Sequence, residues 1–216
     1  NPNILRALKV CHDAKVDTLT VHLREDRRHI KDQDLLELKK NSKIPINLEM
    51  ALTDEMIQIA DKINPEFICL VPEKRNEITT EGGLNLNKIS HTKLKKLQII
   101  SKKKDIQLSA FINATKKTIS LAKKLGFDTV EIHTGPLDKK VVKKSTINQI
   151  NEMIEFAHSK NLLVNVGHGL NFSNIKLIKK RKYVNTVHVG HFIISEAIFI
   201  SLIKTIKIFG DLIRKW

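Results

Sequence analysis

Short apolar runs that end in histidine or glutamate recur along this chain: Leu19-Thr20-Val21-His22, Ile46-Asn47-Leu48-Glu49, Val130-Glu131-Ile132-His133, Val164-Asn165-Val166-Gly167-His168 and Val187-His188-Val189-Gly190-His191. Runs this short, rich in β-branched residues and separated by helical patterns, read as strands of a parallel sheet. Strands are expected near 17–22, 45–49, 66–71, 106–112, 128–133, 162–166 and 185–189, each followed by a helix. The first element is itself a helix, with Pro2 near its start and Ile4, Leu5, Leu8 and Cys11 at helical spacing. Thr53, Ser145 and Ser173 read as caps of later helices, and the apolar positions from Ile198 to Phe209 as one final helix.

Alternation inside the strands narrows the choice of parallel sheet. A doubly wound sheet is covered on both faces and has nearly unbroken apolar strands. Here one face is polar (Thr20 and His22, Asn47 and Glu49, Gln107 and Ser109, Glu131 and His133, Thr186 and His188), while Leu19, Val21, Ile46, Leu48, Leu108, Ala110, Val130, Ile132, Val187 and Val189 form the other. Apolar residues facing a ring of helices, with polar residues directed to a shared mouth, fit a (β/α)8 TIM barrel whose active site gathers at the C-terminal strand ends. Seven strands can be counted. The expectation is therefore one (β/α) barrel domain over residues 1–216 that lacks its N-terminal strand, the missing strand preceding Asn1.

At 216 residues and 41% apolar content, one domain can enclose a substantial core. Two cysteines, Cys11 and Cys69, do not make a disulfide framework and suit a reducing cytoplasm. The most apolar stretch, Phe192 to Ile203, contains Glu196 and is too short to span a bilayer. A formal charge of +15 raises nucleic-acid binding as the non-enzyme alternative. Against it, the lysines fall in small helical clusters such as Lys95-Lys96, Lys102-Lys103-Lys104 and Lys123-Lys124, and only one Tyr and one Trp could stack on bases.

Six of the nine histidines, His22, His29, His133, His168, His188 and His191, lie in or just beyond the strand-like runs. With Glu49 and Glu131 they describe a ring of proton-transfer groups. Bland readings stand beside this one. Residues 24–29, Arg-Glu-Asp-Arg-Arg-His, could be a solvated charged loop, Glu49 and Glu131 structural carboxylates, and His133 and His188 satisfied interior imidazoles. His12, His91 and His158 read as surface residues. Zinc is not expected, because no His-x-His or His-x-x-x-His pair anchors a site. A Schiff-base aldolase using Lys74 is a further alternative, although Glu73 and Arg75 beside it favour a charged loop.

The strings Thr20-Val21-His22-Leu23-Arg24-Glu25-Asp26-Arg27-Arg28-His29, Asn47-Leu48-Glu49-Met50, Leu70-Val71-Pro72-Glu73-Lys74-Arg75, Thr79-Thr80-Glu81-Gly82-Gly83, Glu131-Ile132-His133-Thr134-Gly135, Asn165-Val166-Gly167-His168-Gly169-Leu170 and Gly190-His191 closely resemble the pyridoxine 5'-phosphate synthase family, in order and over essentially the whole chain. The resemblance implies an enzyme without cofactor or metal. Its reaction condenses 1-deoxy-D-xylulose 5-phosphate with 3-amino-2-oxopropyl phosphate, giving pyridoxine 5'-phosphate, phosphate and water. Carried over by position, His22 and Glu49 are implied general bases, His168 the general acid and Glu131 a stabiliser of cationic intermediates. Arg24, His29 and Thr79 are implied to hold the deoxyxylulose phosphate, and Gly169, Gly190 and His191 the aminoketone phosphate. The resemblance also implies a homo-octamer built from dimers.

The chain departs from the family pattern in places. The first-strand Asn-x-Asp-His stretch and the arginine after it are not found. Asn113 and His188 stand where an aspartate and an asparagine are expected, and Ser195-Glu196 replaces a glycine-arginine pair.

Overall fold

Strand and helix alternate as the two hydrophobic periods dictate. The structure, a computed structural model, describes residues 3–73 and 82–215, and among them are seven strands and eight α-helices. Two compact units divide the chain, residues 1–111 and 112–216.

In the first unit, Asn3 starts α1 (Ile4–Asp13) by accepting the Leu5 and Arg6 N–H groups on Oδ1 at 3.0 Å. There follow β1 (Leu19–His22), α2 (Asp32–Asn41), β2 (Ile46–Met50), α3 (Asp54–Ile63), β3 (Phe67–Leu70), α4 (His91–Lys104) and β4 (Gln107–Ile112). Thr53 caps α3 as expected, its side chain accepting from the Met56 N–H at 3.2 Å. Met56, Ile57, Ala60 and Ile63 bury one face of that helix. It stops at Asn64, whose left-handed φ of 52° turns the chain back toward β3.

Strands β1 to β4 pair in parallel and in sequence order, with His22 opposite Glu49, Glu49 opposite Cys69 and Cys69 opposite Ser109. Thr20, Asn47, Phe67 and Gln107 form the row below. A side-chain period of two puts both rows on one face. On the other, Ile46, Leu48, Ile68, Leu70, Leu108 and Ala110 are buried.

The second unit holds α5 (Lys116–Lys124), β5 (Thr129–His133), α6 (Lys144–Ser159), β6 (Leu163–Gly167), β7 (Val184–His188), α7 (His191–Ile200) and α8 (Leu202–Arg214). Its strands are parallel too, His133 facing Gly167 and Gly167 facing His188.

Three local expectations need correction. Helix α6 opens at Lys144 with Lys143 at the cap position, so Ser145 caps nothing. No α-helix follows β6. There the side chain of Asn171 accepts the Ser173 and Asn174 N–H groups at 2.9 Å, and Asn174 returns the favour to the Asn171 N–H at 2.8 Å. Such local bonds compete with helix formation, leaving only short 3-10 turns at Ile175–Leu177 and Arg181–Tyr183. Finally, the last helix is two helices broken at Ser201, φ 77°. An unbroken helix would hold Phe192 and Phe209 about 25 Å apart along its axis. The break brings their ring centroids within 6.3 Å, both against Phe172.

Candidate active site

The polar row of the first unit brings an imidazole between two carboxylates. Parallel register sets His22 beside Glu49, with Nδ1 3.8 Å from Glu49 Oε2. On its other edge, His22 Nε2 is 3.0 Å from Glu73 Oε1. Glu73 follows β3, and its second oxygen accepts the Glu25 N–H at 2.9 Å. Burial would raise the Glu73 pKa, but the His22 and Glu25 bonds outweigh it and hold the carboxyl below its ordinary range. An ionised Glu73 only accepts hydrogen bonds, so Nε2 carries hydrogen and Nδ1 is the ring nitrogen turned to Glu49.

The charged loop after β1 is not uniformly solvated. Arg24 is 6% exposed, and its guanidinium meets Asp26 at 3.2 Å, with Arg28 meeting the same carboxylate at 2.7 Å. Bonding to both arginines, Arg24 first, keeps Asp26 well below the usual carboxylate range. Arg27 is held by Asp32, 2.9 Å away, and by Glu55. His29 is exposed. Thr79 and Lys74 lie outside the described residues.

In the second unit Glu131 is the most deeply placed acid, 1% exposed, and its Oε2 is 2.6 Å from His188 Nδ1. His133 stands edge-on to His168 with ring centroids 5.8 Å apart. Burial, then the neighbouring charge of His168, lowers the His133 pKa to about 4 against the opposing pull of Glu131. His133 is therefore neutral at physiological pH.

His168 occupies the left-handed region at φ 70°, strain of about 1–3 kcal/mol for a non-glycine residue. A clamp holds it there. The buried Thr134 hydroxyl lies 2.7 Å from both the Gly167 and His168 carbonyls, and the Thr134 N–H donates to Gly167 O at 2.8 Å. At Gly169, φ 66°, a Cβ would approach Gly135 Cα to 2.8 Å, so backbone packing demands glycine. The Gly169 carbonyl accepts from Asn174 Nδ2 at 2.6 Å. Gly190 differs, since a Cβ there would meet nothing within 4 Å. It precedes α7, and His191 is exposed at that helix's first position.

Each unit thus presents imidazole and carboxylate side chains at C-terminal strand ends. His22 and Glu49 share one cluster; Glu131, His133, His168 and His188 form another. Glu73, Thr134 and Asn174 were not among the candidates drawn from the sequence. In the sequence Glu73 reads as part of a charged loop, and the other two act through long-range bonds that leave no local signature. Among the described residues no group of three His, Cys, Asp or Glu side chains is arranged to hold a metal ion, and no helix is long and apolar enough to cross a membrane. His12, His91 and His158 are exposed, as expected.

The family model described as "Pyridoxal phosphate biosynthesis protein PdxJ" matches residues 1–215. The chain is 45% identical over 203 residues to a pyridoxine 5'-phosphate synthase of Prochlorococcus marinus, covering 91% of this chain and 83% of that one. To the enzyme of the same name from Ehrlichia canis it is 40% identical over 208 residues, covering 95% and 85%. Among solved structures, 3-keto-L-gulonate-6-phosphate decarboxylase from Vibrio cholerae shares the fold with a TM-score of 0.68 at 12% identity, over 100% of this chain and 95% of that one. With imidazole and carboxylate groups at the strand ends and a family match along its length, this chain belongs to the PdxJ family of pyridoxal phosphate biosynthesis proteins.

Proposed function

We propose that this chain is a pyridoxine 5'-phosphate synthase that joins 1-deoxy-D-xylulose 5-phosphate to 3-amino-2-oxopropyl phosphate, releasing phosphate and water. The observation that carries the proposal is the family match over residues 1–215, and the chemistry of the side chains supports it. Amine-carbonyl condensation, phosphate elimination and aromatisation each move protons, so the reaction needs several acid/base groups with different tuning.

His22 and Glu49 serve as general bases. Support comes from their adjacency at the ends of β1 and β2 and from Glu73, which leaves His22 Nδ1 on the side of Glu49. His168 is the general acid, Glu131 the carboxylate that stabilises cationic intermediates. Arg24, His29 and Thr79 hold the deoxyxylulose phosphate, and the buried guanidinium of Arg24 suits bidentate phosphate recognition. Gly169, Gly190 and His191 hold the aminoketone phosphate, for which the uncrowded Gly190 at the start of α7 offers backbone N–H groups.

The fold is taken as the (β/α)8 barrel expected from the sequence, supported by strand-helix alternation and by the likeness to a solved phosphosugar enzyme. Ile194, Ile198 and Phe199, 62%, 79% and 80% exposed on α7, suit a subunit interface; the assembly taken here is a homo-octamer built from dimers, which native mass spectrometry would test. A cytoplasmic setting accompanies this assignment.

The test of function is formation of pyridoxine 5'-phosphate, followed by mass spectrometry, when the purified protein meets both substrates. Omitting either substrate should abolish the product. No product from the complete mixture would overturn the proposal.

A further inference from the structure

We infer that His188 is a positioning residue for Glu131, fixing the direction of a carboxylate whose catalytic role rests on the function proposed above. The two side chains come from strands that are not paired with each other. Glu131 is on β5 and His188 on β7, with β6 between them.

What lets them meet is Gly167. In the register it separates His133 from His188, and Glu131 lies two residues before His133 on the same face. A Cβ at Gly167 would fall 2.0 Å from Glu131 Oε1 and 3.3 Å from His188 Cβ. The carboxylate therefore crosses β6 through space that any side chain at 167 would fill. Its far oxygen, Oε2, ends 2.6 Å from His188 Nδ1.

At 1% exposure Glu131 is cut off from water, and a buried carboxylate stays ionised only when donors and charge offset its lost hydration. The His188 imidazole places a ring nitrogen within hydrogen-bond distance of one of the carboxylate oxygens. Because an ionised carboxylate accepts and does not donate, Nδ1 carries the hydrogen. One oxygen is then tied to His188 while the other lies against the Gly167 backbone, which leaves the group little rotational freedom. A group that stabilises developing positive charge works best when held in place beforehand, since it then does not reorganise during the reaction.

An asparagine amide nitrogen stands the same number of bonds from Cα as histidine Nδ1. His188→Asn therefore keeps a donor at this place, whereas His188→Leu keeps bulk without one. In steady-state assays of product formation, His188→Leu should lower kcat by at least about thirtyfold with KM changed less than about threefold, as expected for an interaction that matters only in the transition state. His188→Asn should stay within about fivefold of wild type. In a Glu131→Gln background, His188→Leu should cost less than about threefold more, because both act through one carboxylate. Imidazole 15N NMR of the wild-type protein should show hydrogen on His188 Nδ1, and that resonance should move on Glu131→Gln.

An unchanged kcat in His188→Leu, equal losses in the Asn and Leu variants, additive losses in the double variant, or a bare Nδ1 would each overturn the inference. If His188→Leu does not fold, the asparagine variant and the NMR tautomer decide. An active wild type with an indifferent His188 removes only this role, whereas a wild type that makes no product removes the proposed function and this role together.

Discussion

His22 Nε2 and Glu73 Oε1 lie 3.0 Å apart, joining the end of β1 to the segment after β3. The same carboxylate accepts the Glu25 N–H on its other oxygen. Glu73 therefore orients a proposed general base and ties down the first residues of the loop that carries Arg24. Neither task could be assigned from its position among charged neighbours.

Glu73→Gln should destabilise the protein by about 1.5–3 kcal/mol at pH 7, the range for hydrogen bonds that involve a charged group. The folded state depresses the Glu73 pKa, so its ionised form contributes stability above the unfolded carboxylate range, and this is lost as pH falls through the folded value. Urea unfolding at a series of pH values should show the two proteins converging in acid. A difference equally large at pH 7 and pH 3 would contradict the ionised pair.

His133 should remain neutral until about pH 4, titrating far below an ordinary histidine in NMR. Its unfolded form takes up a proton first, so stability falls as pH drops from the ordinary histidine range toward about 4, with no further loss from this group below that. Replacing His133 by glutamine should flatten the decline in that window. Titration of His133 near pH 6.5 would contradict its burial beside His168.

Gly167→Ala should be severe for so small a change. The added methyl meets Glu131 Oε1 at 2.0 Å, and the carboxylate cannot withdraw without giving up His188. Overpacking of this kind costs about 1–3 kcal/mol. Turnover should fall with it, while Gly190→Ala, which meets nothing within 4 Å, should leave stability unchanged. Thermal unfolding of both variants distinguishes them.

Much of this was legible in the sequence because strand period and polar face coincide. The seven strands fall within two residues of their expected places, and His22 and Glu49 face each other because each ends its own run. Glu131 was legible as an inward acid; its partner was not, since the pairing depends on a gap at Gly167 in an intervening strand. The helix expected after β6 failed for a local reason, Asn171 and Asn174 capturing backbone groups that a helix would use. The break at Ser201 has no Gly or Pro to announce it and is understandable only from the cluster of Phe172, Phe192 and Phe209.

The basic charge should not confer tight RNA binding. Most of the clustered lysines are exposed on helices, and a diffuse charge binds chiefly through counterion release, which salt suppresses. Fluorescence anisotropy with a generic single-stranded RNA should show weak binding at low salt and none at physiological salt. Nanomolar binding under the latter condition would restore the nucleic-acid alternative.

The most direct test compares pyridoxine 5'-phosphate formation by the wild-type protein and Glu49→Gln at saturating concentrations of both phosphorylated substrates. The wild type should make the product, and the variant should be slower by at least about a hundredfold, within the range for a lost general base, with little change in substrate binding. Absence of product from the wild type, or near-wild-type turnover by Glu49→Gln, would contradict the account.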